Sequence, residues 1–239
     1  MIKLYDASME GCVLTLSSLL QKDPLLLSKI SLTAFAETPL HIAALLGHTN
    51  FTRQLLTHKP KLALELDSRN RSPLHLASAE GHAEIVQALL QESYGDMCLV
   101  KDQDGRNPLH YAAMRGRVGA IRLLIGAYGD AVFEVESGGE TALHLCVQYN
   151  HLEALKVLVE FVLNGFDEKK EHLLNLKEQA GGNTVLHLAV MFKQIEVSII
   201  FQPQKYVILD EFKLFFRFIL GKVINLIKSL KVHTKCITS

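Results

Sequence analysis

The feature that most constrains this chain is a phrase that returns along it at nearly constant spacing. Residues 38–56 read TPLHIAALLGHTNFTRQLL, residues 72–90 SPLHLASAEGHAEIVQALL, residues 107–125 NPLHYAAMRGRVGAIRLLI and residues 141–159 TALHLCVQYNHLEALKVLV. A fifth copy opens at Thr184 as TVLHLAVMFKQIEV and then loses the pattern. The histidines of the phrase, His41, His75, His110, His144 and His187, are separated by 34, 35, 34 and 43 residues. Such self-similarity argues for a stack of small units, each resting on its neighbours, rather than one globular core.

A degenerate copy precedes these, with Leu4, Tyr5, Ala7 and Gly11 aligned to Leu40, His41, Ala43 and Gly47. Tyr5 stands where the histidine should be and Asp6 intrudes, as expected of an end unit whose outer face meets water. The chain therefore reads as six modules, the first and last atypical. The wider gap before His187 holds an insertion around Asn164–His172, rich in Gly165, Asp167, Glu168, Lys169 and Lys170. It is expected to be a solvated loop.

Each position of the phrase has a physical reason. Thr38, Ser72, Asn107, Thr141 and Thr184 are helix N-caps, whose side-chain oxygens accept orphan backbone N–H groups. Pro39, Pro73 and Pro108 follow at the first helical position, where proline loses no hydrogen bond. Ala43, Ala77, Ala112, Cys146 and Ala189 are small where two helices must approach closely. Gly47, Gly81 and Gly116 end a short first helix in the left-handed conformation, with Asn150 and then Lys193, a poor substitute, in later copies. A second helix follows, with apolar pairs such as Leu55–Leu56, Leu89–Leu90 and Leu123–Leu124. Two residues before each cap lie Ala36, Asn70, Gly105, Gly139 and Gly182. Four of these suit a turn with positive φ, and Ala36 predicts a distorted first hairpin.

A period near 33 with this signature resembles the ankyrin repeat. The resemblance implies an all-α, ankyrin-repeat solenoid of about six helix-turn-helix modules with short β-hairpin loops. The hairpins and first helices would line a gently curved concave face. The repeat domain is expected over residues 1–197. The opening YDASMEG, the KDPLLL of residues 22–27 and the GNTVLHLAV of residues 182–190 resemble, more narrowly, plant membrane-associated ankyrin proteins (PGG type) of defence and stress signalling. Members of that group continue into more repeats and transmembrane helices, from which this chain departs.

Composition narrows the function. Formal net charge is zero, but residues 198–239 carry Lys205, Lys213, Arg217, Lys222, Lys228, Lys231 and Lys235 against Asp210 and Glu211, a net of +5, leaving −5 for the rest. A mildly acidic body argues against a nucleic-acid footprint. Cys12, Cys98, Cys146 and Cys236 form no close pair, and the first ten residues are neither a secretory nor a transit segment. Reduced thiols in the cytoplasm are expected. There is no Gly-x-Ser-x-Gly, phosphate loop or His-Glu-x-x-His, so no enzyme and no cofactor is expected. The repeated histidines read as structural, their rings bonding the cap and nearby backbone, and His48, His82 and His151 as structural at the inter-helix turn. Neighbouring repeats lie too far apart for two imidazoles to share a zinc.

In ankyrin proteins, partners meet hairpin tips and the exposed face of the first helix. Carried onto this sequence, that implies Glu37, Leu45 and Leu46 in the second module, and Ser68, Arg69, Arg71, Ala79 and Glu80 in the third. It implies Gln103, Asp104, Arg106, Met114 and Arg115 in the fourth, Glu140, Gln148 and Tyr149 in the fifth, and Asn183, Met191 and Phe192 in the last. Arg69, Arg71, Arg106 and Arg115 read as a basic cluster, and Leu45, Leu46, Met114, Tyr149, Met191 and Phe192 as apolar contacts. The expected partner is a protein bearing an acidic or amphipathic segment, met by a monomer of this chain.

The tail does not fit the repeat. Gln202-Pro203 would end the last helix early, and FKLFFRFILGKVINLIKSLKV follows over residues 212–232. Three readings stay open: a basic amphipathic helix lying on the inner face of the plasma membrane, a makeshift cap over the sixth module, and a non-native ending. A transmembrane span is not expected, because five cations interrupt the segment.

Overall fold

The computed structural model describes residues 2–32, 37–92, 95–165, 172–194 and 196–197. The turn expected around Ala36, the centre of the insertion and the whole tail 198–239 with Cys236 lie outside the described residues.

Eleven helices can be named in chain order: α1 (Ile2–Glu10), α2 (Val13–Lys22), α3 (Pro39–Leu46), α4 (Thr49–His58), α5 (Pro73–Glu80), α6 (Ala83–Glu92), α7 (Pro108–Met114), α8 (Val118–Ala127), α9 (Ala142–Gln148), α10 (Leu152–Asn164) and α11 (Val185–Met191). The shorter helices α1, α3, α5, α7, α9 and α11 pack side by side as one row, and α2, α4, α6, α8 and α10 as a second. Short 3-10 turns at Leu26–Leu32, Pro60–Leu64, Gly95–Cys98 and Gly129–Phe133 lead from the second row back to the first. A single helical turn at 172–175 does so after the insertion.

The two rows enclose one continuous apolar core running from Leu4 to Val197. Phe51, Leu55, Leu74, Leu89, Leu109 and Ile121 are among its fully buried side chains. Burying each stabilises the stack by roughly 1.5–3 kcal/mol, and no module holds enough of them to stand alone. The alanines expected at the close approach, Ala43, Ala77, Ala112 and Ala189, are buried, as is Cys146.

Helix starts and stops follow the sequence. The caps at Thr38, Asn107, Thr141 and Thr184 each accept the backbone N–H of the histidine three residues on. Gly47 and Gly81 end α3 and α5 in the left-handed region. Asn150 and Lys193 take the same conformation after α9 and α11, at φ of 59° and 60°. Lys193 is thus held where a side chain is strained, because its Cβ crowds the following carbonyl.

No regular strand occurs among the described residues, but the expected hairpins are present as hydrogen-bonded turns. Asp67 N–H donates to the Arg71 carbonyl, Asp102 to Arg106, Glu136 to Glu140 and Glu178 to Asn183, at 2.9–3.0 Å. Asn70, Gly105, Gly139 and Gly182 supply the positive φ. Neighbouring turns are joined by Gln103 N–H to Arg69, Ser137 N–H to Asp104 and Gln179 N–H to Gly138, at 2.8–3.1 Å. The turns therefore form a connected ridge beside the short-helix row.

Candidate protein-binding face

The repeated histidines fix this face from beneath. The His41 Nδ1 lies 3.2 Å from the Thr38 backbone N–H and 2.8 Å from its hydroxyl. A backbone N–H can only donate, so Nδ1 accepts and the proton sits on Nε2. That nitrogen donates to the Arg71 carbonyl of the next module at 3.0 Å. His75 repeats the arrangement on Ser72 and the Arg106 carbonyl. In the first module the Tyr5 hydroxyl donates to the Glu37 carbonyl at 2.9 Å, the equivalent place. Burial pushes the His75 and His110 rings down to about 4 and lowers those of His41 and His144. These rings are neutral structural ties.

The histidines at the inter-helix turn are ties of a second kind. His48 bonds the Met9 carbonyl, His82 that of Leu45 and His151 that of Met114, at 2.9–3.2 Å. Sequence reasoning missed the two residues that replace histidine in this role. Arg117 Nε donates to the Ala79 carbonyl at 3.1 Å, and Gln194 Nε2 to that of Val147 at 2.8 Å. The signal was their position in the repeat and their shared ability to donate.

An acidic residue opens every described turn, and this too was missed. The Asp67 carboxylate accepts the N–H groups of Arg69 and Arg71, and that of Asp102 accepts those of Asp104 and Arg106, at 2.8–2.9 Å. Glu136 accepts from Gly138, and Glu178 from Gly181 and Asn183. Burial works against the Asp67 charge, but bonds from Arg71 and Arg69 outweigh it and hold its carboxyl below the usual range. The acid recurs five or six residues before four of the five caps, Ser72, Asn107, Thr141 and Thr184, a regularity visible in the sequence.

The expected basic cluster is corrected by carboxylates of the turns and of the α5 end. Arg71 donates Nε and a terminal nitrogen to Asp67, at 2.8 and 2.7 Å. Arg106 lies 3.2 Å from Asp104 and 3.6 Å from Glu136, and Arg115 lies 3.0 Å from Glu80. Only Arg69 of the four is exposed without an ion pair among the described residues. The charge meant to attract an acidic segment is therefore mostly neutralised within the chain. Tyr111 closes the same set: its hydroxyl donates to Asp102 at 2.7 Å, and burial with that carboxylate pushes it up to about 12.

The last two residues of each short helix, or the last and its cap, occupy one line along the face. Leu45, Leu46, Tyr149, Met191 and Phe192 stand exposed there, from 42% at Leu45 to 61% at Met191. Gln148 is exposed and Met114 half-buried. Ala79 departs from expectation: it is buried, because the Arg117 side chain closes over its carbonyl. Of the remaining expected residues, Glu37, Ser68, Gln103 and Asp104 are exposed at the turns. Asn183 is half-buried and bonded to Glu178. Glu140 is half-buried, and burial followed by the nearby Glu136 and Glu178 charges raises its carboxyl.

No group of three His, Cys, Asp or Glu among the described residues is placed to hold a metal ion. Cys98 and Cys146 are buried in apolar surroundings that push both thiols up, Cys98 to about 11.

A family model described as ankyrin repeats (3 copies) matches residues 4–99, 94–169 and 137–206. Over 159 residues the chain is 28% identical to the target of rapamycin complex 2 subunit AVO2 of Saccharomyces cerevisiae, covering 66% of this chain and 37% of that protein. Over 61 residues it is 38% identical to the liver isoform of mitochondrial glutaminase of Rattus norvegicus, covering 26% of this chain and 10% of the enzyme. Over 88 residues it is 28% identical to the inhibitor of Bruton tyrosine kinase of Homo sapiens, covering 37% of this chain and 6% of that protein. The chain thus spans well under half the length of each.

Proposed function

The chain belongs to the ankyrin-repeat family, and from that premise we propose that it is a binding module that captures a partner protein on its short-helix face. The supporting observation is the line of exposed apolar side chains at one repeat position. The second, fifth and sixth modules bury their framework side chains and leave these exposed. Scattered surface leucines need no explanation, but apolar groups recurring at one place along a rigid stack form a surface that a partner can cover. Leu46 lies toward one end of the line, and Tyr149 and Phe192 toward the other. The Glu80–Arg115 pair lies between them. Arg69, Asp104, Glu140 and Asn183 supply the polar rim.

The family is one of binding modules, and the glutaminase match covers a tenth of that enzyme within the repeats, so it carries no glutaminase chemistry to this chain. One relative is named as a complex subunit and another as a kinase inhibitor. Both descriptions fit proteins that act by association, which supports a signalling adaptor. The test is capture of partners from source-cell extract by the wild-type chain and by Tyr149→Ala with Phe192→Ala. Loss of a specific partner with an unchanged melting temperature is expected, since aromatic anchors contribute about 2 kcal/mol or more each. Unchanged capture would remove the face from consideration.

A second reading is favoured by the 212–232 segment, whose five cations sit among Phe, Ile, Leu and Val. It would tether the adaptor to the inner face of the plasma membrane, as the likeness to plant defence proteins implies. No helix among the described residues is long and apolar enough to cross a membrane. Co-flotation with anionic liposomes separates the readings. Salt-sensitive flotation of the full chain, lost when those cations are reversed, supports the tether; absence of flotation refutes it.

A further inference from the structure

Charge is divided unequally along the array. No lysine or arginine occurs between Arg122 and Lys156, a stretch that holds Asp130, Glu134, Glu136, Glu140 and Glu153. None occurs between Lys177 and Lys193, which enclose Glu178. These stretches build the turns and short helices of the fifth and sixth modules. The fourth module answers two of the carboxylates: Lys101 lies 2.8 Å from Glu134, and Arg106 lies 3.6 Å from Glu136. Glu140 has no cation within ion-pair distance among the described residues; the charges of Glu136 and Glu178 act on it, and Arg106, already shared with Asp104 and Glu136, opposes them only in part. One short-helix length away, roughly 10 Å at 1.5 Å per residue, the same two modules expose Tyr149, Met191 and Phe192.

We infer that the fifth and sixth modules bind a cationic amphipathic segment of another protein, its apolar side on Tyr149, Met191 and Phe192 and its lysines or arginines toward Glu140. This rests on the short-helix face being the binding surface, and it fixes the sign of the partner's charge. An acidic segment seated on those aromatic groups would add like charge to Glu136, Glu140 and Glu178, which disfavours it strongly. A neutral segment would cover Glu140 and desolvate its carboxylate with only the distant, shared charge of Arg106 to offset the cost. A cation removes both objections, because the attraction strengthens as water is excluded. The arginines of the third and fourth modules do not reverse this preference, since three of them are already matched by carboxylates of the chain.

The test titrates the full chain, by fluorescence anisotropy, with two labelled helical peptides. Both carry the same leucine and phenylalanine face, and the polar face bears lysine in one and glutamate in the other. The lysine peptide should bind more tightly, and added salt should weaken it. Glu140→Lys should weaken that binding roughly tenfold or more, whereas Gln91→Lys, at an exposed position of α6, should leave it within about twofold of wild type. Equal weakening by the two variants, or none by Glu140→Lys, overturns the inference. If the glutamate peptide binds better and Tyr149→Ala with Phe192→Ala abolishes it, the face is right and the sign of charge wrong. If neither peptide responds to those aromatic changes, the face itself is wrong.

Discussion

The third and fourth modules and the fifth and sixth share one frame and present different surfaces. In both pairs a capped short helix, a histidine that is buried in the third to fifth modules and half-buried in the sixth, and a turn opened by an acid hold the backbone in place. In the central pair each turn carboxylate meets a cation or a hydroxyl, Asp67 with Arg71, Asp102 with Tyr111 and Asp104 with Arg106, and at the helix ends Glu80 meets Arg115. In the last pair Glu140 forms no ion pair among the described residues and feels Glu136 and Glu178, with Arg106 opposing them, and aromatic side chains replace the Glu80–Arg115 pair at the helix ends. The frame positions the side chains, while their chemistry at the tips and helix ends varies without disturbing it. Stability is concentrated in the buried ties, and the exposed positions are those that differ between the two pairs.

The widest difference between the two pairs should emerge on acidification. The His75 and His110 rings titrate near 4 when folded and near 6.5 when unfolded. Below 6.5 the unfolded chain binds protons that the folded rings refuse, so stability is full above that pH and lost as pH falls from about 6.5 to about 4. Each ring contributes roughly 3 kcal/mol across this window. Urea midpoints at pH 7 and pH 5 should show a large fall. Equal midpoints would mean the rings are not buried neutral ties.

Gly116→Ala should come next. Gly116 lies at φ +63°, and an added Cβ would sit 2.6 Å from the His151 ring that ties the fourth module to the fifth. A loss of about 2–3 kcal/mol is expected from strain and the displaced ring. Thermal or urea unfolding measures it, and a loss below about 0.5 kcal/mol would show that the tie contributes little.

Arg71→Ala tests the matched charges of the central pair. It leaves the buried Asp67 carboxylate with only backbone donors, and should lower stability by about 2 kcal/mol. Arg115→Ala, at the half-exposed Glu80 pair, should change it by less than ~1 kcal/mol. Equal effects would contradict the assignment of Arg71 to the frame. The smallest change, Lys193→Gly, should stabilise the sixth module by about 1 kcal/mol through release of left-handed strain.

Much of the frame was legible in the sequence, because each of its parts is a local rule repeated. Caps, proline starts, glycine stops and the turn glycines answer to backbone geometry alone. Even the awkward positive φ at Lys193 followed from its place in the period. The turn acids repeat just as regularly, and they were hidden only because Asp and Glu at a loop suggest solvation before they suggest bonding to the loop's own N–H groups. The surface was harder to read. Whether Arg71 or Arg106 is free depends on where neighbouring turns bring Asp67, Asp104 and Glu136, which is a property of the stacked array. For the same reason Ala79 is buried, under a side chain that comes from the next module.

The most direct measurement of the central claim is photo-crosslinking from defined positions in source-cell extract. A benzophenone amino acid would be placed at Tyr149 or Phe192 on the short-helix face, and at Gln87 or Glu160 on the exposed second row. A shared partner crosslinked from the first two positions and absent from the others is the predicted result. Crosslinks that form equally from the second row, or only there, would contradict the assignment of the short-helix face as the binding surface.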